Sequence, residues 1–579
     1  MQWIHVGPGA ITDDLADIPC SDMQAIDLLD QLNSVHDTGY SLDVPGLQKC
    51  LEYTLRQSRD FGVAYGTLRP WWSSDFTEVV DHLEQQRIRL EYTRSNAIRG
   101  QCIIDSDIPA RRIWDLYSNR VLPFHVLPRV PDSWAEAMPP IIWCVSHSWV
   151  DERDRHDVWT RINSEEWPVP LPRTTSLSHI RVELLNMGAQ YVWLDVLCLR
   201  QRGGRLAEAD AERAAEWRLD VPTIGKIYQR WQATCIIYFN GLGLPLDTTP
   251  AVLSSPQHWC NRAWTLQEGC RGWLPAGIDP SRPIGHDFFR GLDERRGQLT
   301  GFLCNLESAV FMRDRFCSTE LDKIAGLAYI FQTRTLPVYS ERTPVEHAWL
   351  LLLKNLQEDL RTQIFFQYAP ATPFEIWVPW ERFIEGRPEL PFWDSIWILD
   401  DRPKDDREPL QLLNTDDLYT NNPQPRYCHE GWAIGHCRVA TTIRQTTGDA
   451  KKNIRLNVRR RSESSSLVFA GMTGLLLPEV EYFLIAFELG HRKGYPPWLI
   501  AIEVVAEEEA STSEAGTQGL KTVEGVRWAV LYMDKDQKVA LDSGSPDTRV
   551  VYLPGEEALA RTQYRKQYLS ALAETSLIR

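Results

Sequence analysis

The amino-acid sequence predicts an α/β protein built on a small, doubly wound parallel sheet, with a helical flank and a C-terminal β-rich α+β region. Three observations lead there. First, three apolar runs, "IIWCVS" (residues 141–146), "YVWLDVLCL" (191–199) and "TCIIYF" (234–239), are rich in β-branched and aromatic residues and do not alternate with polar ones. Strands buried on both faces of a parallel sheet read this way. Second, the intervening segments are long enough for crossover helices, and strand–helix–strand–helix–strand implies right-handed βαβ units. Third, 579 residues, at roughly 150 per domain, leave room for three or four domains, so the sheet accounts for only part of the chain.

In chain order, residues 23–32 and 79–92 carry apolar residues at a spacing near 3.6, the second with charge on its other face, and predict helices. Residues 106–109 lead into "ARRIWDLYSNRVLPF", and a Pro-rich connector over 123–140 marks a boundary. The expected divisions are a mostly helical region with this lead-in (1–135), the sheet domain (136–285), a helical, Trp- and Pro-rich region (286–395) and a β-rich region with a closing helix (396–579). Within the sheet domain, 177–187 reads as a helix stopped at Gly188. Residues 207–231 read as a helix broken or kinked at Pro222. A loop with Gly241, Gly243, Pro245 and Pro250 precedes "WCNRAWTLQEGCRGW" (259–273), a short helix with Asn261 as its N-cap. Helical character continues over 288–359, and Pro and Trp accumulate from Gln363 onward. Strand-like runs follow at 480–487, 498–505 and 527–533, with a loop of small polar residues at 510–519 and a closing helix at 556–577. No repeat at solenoid periods is present.

Composition narrows the function classes. Apolar residues make up 43% and charged residues 24%, ordinary for a globular chain. The 62 basic and 78 acidic residues sum to −16, a field that repels phosphate backbones, so nucleic acid is not an expected partner. No apolar run approaches the ~20 residues of a membrane span, so no membrane is expected. The first residues offer neither a basic start nor an apolar core, so no secretory leader is expected. Twelve cysteines lie scattered from Cys20 to Cys437 without a C-x-x-C pair. With the absence of N-x-Ser/Thr sequons this predicts reduced thiols and a cytoplasmic location. Cys428, His429, His436 and Cys437 match no common zinc spacing and read as a strand pair, so no metal site is assigned. The basic run over 451–461, "KKNIRLNVRRR", reads as a solvated strand edge or loop.

Phosphate-loop, dinucleotide-fingerprint, H-E-x-x-H and G-x-S-x-G motifs are all absent. What remains is polar chemistry at the carboxyl ends of the expected strands, where doubly wound sheets place their sites. The first strand ends in Ser146, His147, Ser148 and Trp149, and the second carries Asp195 inside its apolar run. A buried acid must be paired or hydrogen-bonded, since stranding it costs several kcal/mol. Trp264 and Glu268, spaced i and i+4, share a helical face. An indole can stack on a heterocycle while a carboxylate stabilises an oxocarbenium-like centre, which is a ribosyl-transfer arrangement. Each residue also has a plain alternative. Glu268 can be an exposed acid paired with Arg262 or Arg271, Trp264 a core ring, and Asp195 a backbone cap. Arg262 can bind phosphate or brace Glu268.

These residues carry a resemblance. "VSHSW", "YVWLDVLCLRQ", "GKIYQRWQATCIIYF" and "RAWTLQE" stand in the order and spacing of the fungal heterokaryon-incompatibility (HET) domain. "ELDKIAGLA" downstream and "RRIWDLYSNRVLP" upstream are similar to segments flanking that domain, and the likeness spans about residues 111–327. His147 stands where the family has tyrosine, Val150 where it has glycine, and Arg200 where an acid is common. The resemblance implies a fold similar to Toll/interleukin-receptor (TIR) domains, a small flavodoxin-like sheet. It further implies a cell-death effector that hydrolyses NAD with one glutamate, here Glu268 in a W-x-x-x-E pattern. Ser146, His147, Trp149, Asp195, Arg262 and Trp264 would then line the nucleotide site, with NAD a substrate and no cofactor. The alternative it leaves open is a non-catalytic TIR-like module that self-associates and recruits protein partners.

Overall fold

The computed structural model describes residues 5, 7–127, 142–228, 234–268, 273–278, 288, 290–292, 312, 315–333 and 335–356. Beyond these it describes the backbone of the strands between 425 and 554. The chain forms two compact units, Met1–Asn355 and Leu356–Arg579.

In the first unit one six-stranded sheet gathers β1 (Arg112–Asp115), β2 (Arg120–Pro123), β3 (Ile142–His147), β4 (Tyr191–Leu194), β5 (Cys235–Tyr238) and β6 (Trp273–Pro275). Their order is β6-β5-β3-β4-β1-β2. The β6–β5, β5–β3 and β3–β4 pairs are parallel, whereas β4–β1 and β1–β2 are antiparallel. The three apolar runs are therefore adjacent parallel strands with β3 at the centre. Side chains alternate between two cores. Cys144, Tyr191, Trp193, Cys235 and Ile237 enter one, while Val145, Val192, Leu194, Ile236 and Tyr238 enter the other. Both faces are dry, which is why the strands show no polar alternation. Each large side chain so buried contributes about 1.5–3 kcal/mol.

Helices cover both faces. α1 (Ala25–His36), α2 (Leu47–Gln57), α3 (Phe61–Leu68) and α4 (Phe76–Asn96) supply Leu28, Leu51, Phe61 and Val79 to the first core. α5 (Leu177–Asn186) supplies Leu177, Ile180 and Leu184 to the second. Ser176 caps its start and Gly188, at φ +98°, follows its end, as the Gly in the sequence predicts. α6 (Ala209–Asp220) stops before Pro222, and a new helical turn runs Ile224–Tyr228. Downstream lie α7 (Glu320–Ile330) and α8 (Val345–Asn355).

Four expectations change. The stretch read as a lead-in is the β1–β2 hairpin, a member of the sheet itself, so the sheet crosses the expected division at 135/136. Its charged residues are buried in pairs: Asp115 with Arg69 at 2.7 Å, and Arg120 with Asp60 at 3.1 Å. Helix α3 packs so close to the hairpin that a Cβ on Gly66 would sit 2.7 Å from Leu122 Cδ1 and Ser118 Oγ, which would both have to shift. The run expected as one strand over 191–199 ends at Leu194, and Asp195–Cys198 is a helical turn. Asn261 is not an N-cap. Its amide donates to the Leu253 and Ser255 carbonyls at 2.9 and 2.7 Å, and the turn Trp259–Asn261 is capped by His258.

The second unit is β-rich. Gly431–Gln445 pairs with Tyr482–Ala486, then Trp498–Glu509, Lys521–Tyr532 and Asp547–Pro554 follow in turn. The last pairs back onto Gly431–Gln445 and closes a five-stranded ring. Cys428, His436 and Cys437 lie on the antiparallel pair Pro425–Cys428 and Gly431–Gln445. The basic run provides Ile454–Arg459, which is hydrogen-bonded on both sides and so is not an edge. The expected Trp- and Pro-rich stretch after Gln363, the loop at 510–519 and the helix at 556–577 lie outside the described residues.

Candidate functional site

The chain leaves central strand β3 first for β4 on one side and later for β5 on the other, so strand order reverses at the β3/β5 boundary. The carboxyl ends of strands at such a reversal frame a crevice, because the two following connections depart in opposite directions. Ser146 and His147 end β3, Asp195 follows β4, and Phe239 follows β5.

The short helical turn Thr265–Glu268 brings Glu268 to the same end. Glu268 retains 9% exposure, and its Oε2 accepts the Ser146 hydroxyl proton. Ser146 Oγ in turn accepts the indole N–H of Trp259 at 2.6 Å. Burial dominates the Glu268 carboxyl and pushes it up to about 7. The Ser146 hydrogen bond, His147 and Arg315 oppose the rise, while Asp195 adds to it. Among the described residues Glu268 has no ion pair, and Arg262 is not its partner.

His147 is buried, its Nε2 lies 2.7 Å from Asp195 Oδ1, and its Nδ1 lies 3.1 Å from the Ser148 carbonyl. Burial disfavours its charge, but Asp195 and then the Ser148 carbonyl and Glu268 hold it above the usual histidine range. Asp195 also accepts the Val196 amide at 2.7 Å. Leaving the strand at Leu194 is what lets it do both. Trp149 is half-buried with its ring centroid 5.6 Å from that of His147, and the Arg155 guanidinium lies 5.0 Å over its face.

Ser146 with Glu268, and His147 with Asp195 and Trp149, are thus two contact groups at the carboxyl end of β3, and His147 and Asp195 act on the Glu268 carboxyl through charge. Trp264 is turned elsewhere. Its indole serves Asp322 as a hydrogen-bond donor, and its ring lies 6.2 Å from Tyr339. The i, i+4 spacing does not hold the pair on one helical face because the helix begins only at Thr265. Arg262 is half-buried beside the same turn.

Three site residues escaped the sequence reading. Trp259 orients Ser146. Tyr228 is buried and donates to the Val145 carbonyl at 3.0 Å, bracing the end of β3. Arg315 is buried and donates to the Arg262 carbonyl at 2.6 Å and Thr265 Oγ1 at 2.9 Å, clamping the turn that carries Glu268. Burial lowers Arg315 to about 10, with Cys260 and Glu268 opposing. The adjacent Phe316 exchanges backbone hydrogen bonds with Asn261 and Ala263 at 2.7 and 2.9 Å. Trp259 was visible in the quoted motif, whereas Arg315, 47 positions past Glu268, carried no local signal.

Among the described residues no cluster of His, Cys, Asp and Glu could hold a metal ion, and no helix is long and apolar enough to cross a membrane. No family model matches the chain, and neither the curated proteins nor the solved structures yield a match.

Proposed function

We propose that this chain is an effector of the heterokaryon-incompatibility type whose TIR-like sheet hydrolyses NAD at the nicotinamide–ribose bond, depleting the pool and triggering cell death. The observation that carries the proposal is a carboxyl group, Glu268, buried at the strand-order reversal and pushed up to about 7 with no ion pair among the described residues. Catalytic acids and bases need pKa values matched to their task, so an acid perturbed by burial at a strand-order reversal is a functional-site candidate with a physical rationale. The order of the four parallel strands, second-first-third-fourth by sequence, supports a flavodoxin-like and hence TIR-like sheet.

The chemistry needs little else. Nicotinamide leaves the cationic nucleoside as a neutral base, so no acid has to protonate it. As the C–N bond breaks, positive charge develops on the ribose. Ionised Glu268 shields that charge and holds the ribose hydroxyls. Water then adds to the ribosyl centre and yields ADP-ribose and a proton. His147, fixed by Asp195, acts on the Glu268 carboxyl through charge.

One observation favours the second reading, a self-associating module without catalysis: Trp264, the ring expected to stack on the base, is committed to Asp322 and Tyr339. Nicotinamide release from NAD by the purified full chain, dilute and forced into clusters, separates the two. The hydrolase reading expects release that Glu268→Gln abolishes, at least a hundredfold, and a wild-type rate that climbs with pH through about 7 as Glu268 ionises. No release from the folded, clustered chain sinks the hydrolase and leaves the module. The full chain is required, because Arg315 and Phe316 hold the Glu268 turn from beyond residue 285.

A further inference from the structure

Five buried residues from three separate stretches of sequence close a ring around the Glu268 turn. Arg315 Nη1 donates to Thr265 Oγ1 at 2.9 Å, and the Thr265 hydroxyl donates to the Trp259 carbonyl at 2.5 Å. The Trp259 indole donates to Ser146 Oγ at 2.6 Å, and Ser146 donates to Glu268. Glu268 stands on the same helical turn as Thr265, which shuts the ring. It has a cation at one end and an acid at the other, yet among the described residues neither Arg315 nor Glu268 has an ion pair. A neutral clamp would hold the turn without burying a guanidinium on neutral acceptors, so the charge points to a task beyond packing. Trp259 enters the ring through its carbonyl and leaves it through its indole, so the link carries position and no proton. Ser146 is the hydrogen-bond donor to Glu268 among the described residues, and the indole fixes where that donor sits. Charge reaches Glu268 from His147 at the end of β3, Asp195 after β4, and Arg315, and Tyr228 feels it from the turn Ile224–Tyr228. On α7, Asp322 is bound by the Tyr339 hydroxyl at 2.8 Å and Lys323 pairs with Glu320 at 3.1 Å. Cys260, beside Trp259, acts on Arg315, which stays charged to about pH 10 and so does not titrate where Glu268 does.

We propose that Arg315 and Thr265 are positioning residues of the Glu268 site: they hold the Trp259 indole on Ser146 and thereby set the hydrogen bond that Glu268 receives. This rests on the reading of Glu268 as the working acid and names what controls it from outside the sheet.

Thr265→Val and Arg315→Met in the full chain test the proposal. Valine keeps the shape of threonine without its hydroxyl, and methionine keeps much of the length of arginine without its donors or charge. The Glu268 midpoint is read twice, from nicotinamide release and from the pH dependence of urea unfolding, the second of which needs no activity. It should rise by about half a unit in Thr265→Val and about one unit in Arg315→Met. A one-unit rise cuts the ionised fraction at pH 7 about fivefold, so kcat there should fall about fivefold and recover by pH 9. KM for NAD should not change, because neither residue touches substrate. Residues that merely pack would lower kcat or stability alike at every pH, and unmoved midpoints in both folded variants overturn the proposal. Should Arg315→Met fail to fold, Thr265→Val decides alone. Adding Thr265→Val to Trp259→Phe should raise the midpoint no further than Trp259→Phe does, since both act through one N–H, and additive shifts also overturn it. The two readings fail separately. No nicotinamide release sinks the hydrolase, while the unfolding midpoint still decides the ring. Release with unmoved midpoints keeps the hydrolase and sinks the ring.

Discussion

Two buried carboxyl groups in the first unit show what decides whether a protein acid titrates. Asp220, at the end of α6, meets Arg94 on one oxygen and Arg111 Nε at 2.7 Å on the other. Burial would raise it, but the two guanidinia outweigh burial and hold it below the usual carboxylate range. Glu268 is as deeply placed, at 9% exposure against 6%, but among the described residues has only a hydroxyl donor in contact, and it rises to about 7. Depth is therefore not the variable. The partner is: a cation in hydrogen-bond contact makes a buried acid structural, and its absence leaves a group able to change charge near neutrality.

The largest expected effect lies on the structural side. Asp220→Ala strands Arg94, at 13% side-chain exposure, and leaves Arg111, at 30%, with Glu216 alone at 3.8 Å. Breaking such a pair from one side costs about 3–5 kcal/mol, read as a lower denaturant midpoint for the first unit. Nicotinamide release per folded molecule should hold. A loss under 1 kcal/mol would erase the contrast, because Asp220 would then be as dispensable to the fold as Glu268.

Glu268→Gln sharpens the same comparison through pH. A carboxyl raised in the folded state binds a proton that the unfolded chain has released, so wild-type stability should fall as pH rises from about 4.5 through about 7. Full ionisation would cost up to about 3 kcal/mol, at 1.36 kcal/mol per pH unit of displacement. The amide cannot ionise and still accepts the Ser146 proton. The variant should therefore match wild type at pH 4 and exceed it by about 1–3 kcal/mol at pH 8. A variant weaker than wild type at pH 8 would mean that Glu268 is held as a charged structural anchor.

The contrast also marks how far the sequence could be read. β3, β4 and β5 were legible because burial on both faces leaves a local trace, a run without polar alternation. The β1–β2 hairpin was not. Arg112, Asp115 and Arg120 make its four-residue strands look like a solvated connector, and their neutralising partners Glu216, Arg69 and Asp60 lie 104, 46 and 60 positions away. The site divides in the same way. Ser146, His147 and Asp195 could be placed together because strand ends meet in a parallel sheet. The direction of Trp264 could not, since it follows from Asp322 and Tyr339 on a later segment. Nor could the lack of an ion pair to Glu268 among the described residues, a property of what is packed around it.

Trp259→Phe is the smallest and most specific probe of the comparison. The ring meets Phe239 edge-on at 5.8 Å, a contact phenylalanine can keep, so the change chiefly removes the N–H given to Ser146 Oγ. That hydrogen bond is worth about 0.5–1.5 kcal/mol of stability. Its second effect is on charge. An N–H donated to a hydroxyl oxygen polarises the O–H, so Ser146 donates more strongly to Glu268 while Trp259 is in place. Without it the ionised carboxylate is less well held. The pH midpoint of nicotinamide release, and of the stability decline, should then move upward by less than about one unit. Ser146→Ala removes the donor itself and should move both further in the same direction. Equal midpoints in all three proteins would mean that the hydroxyl does not tune Glu268, and that burial alone sets where it titrates.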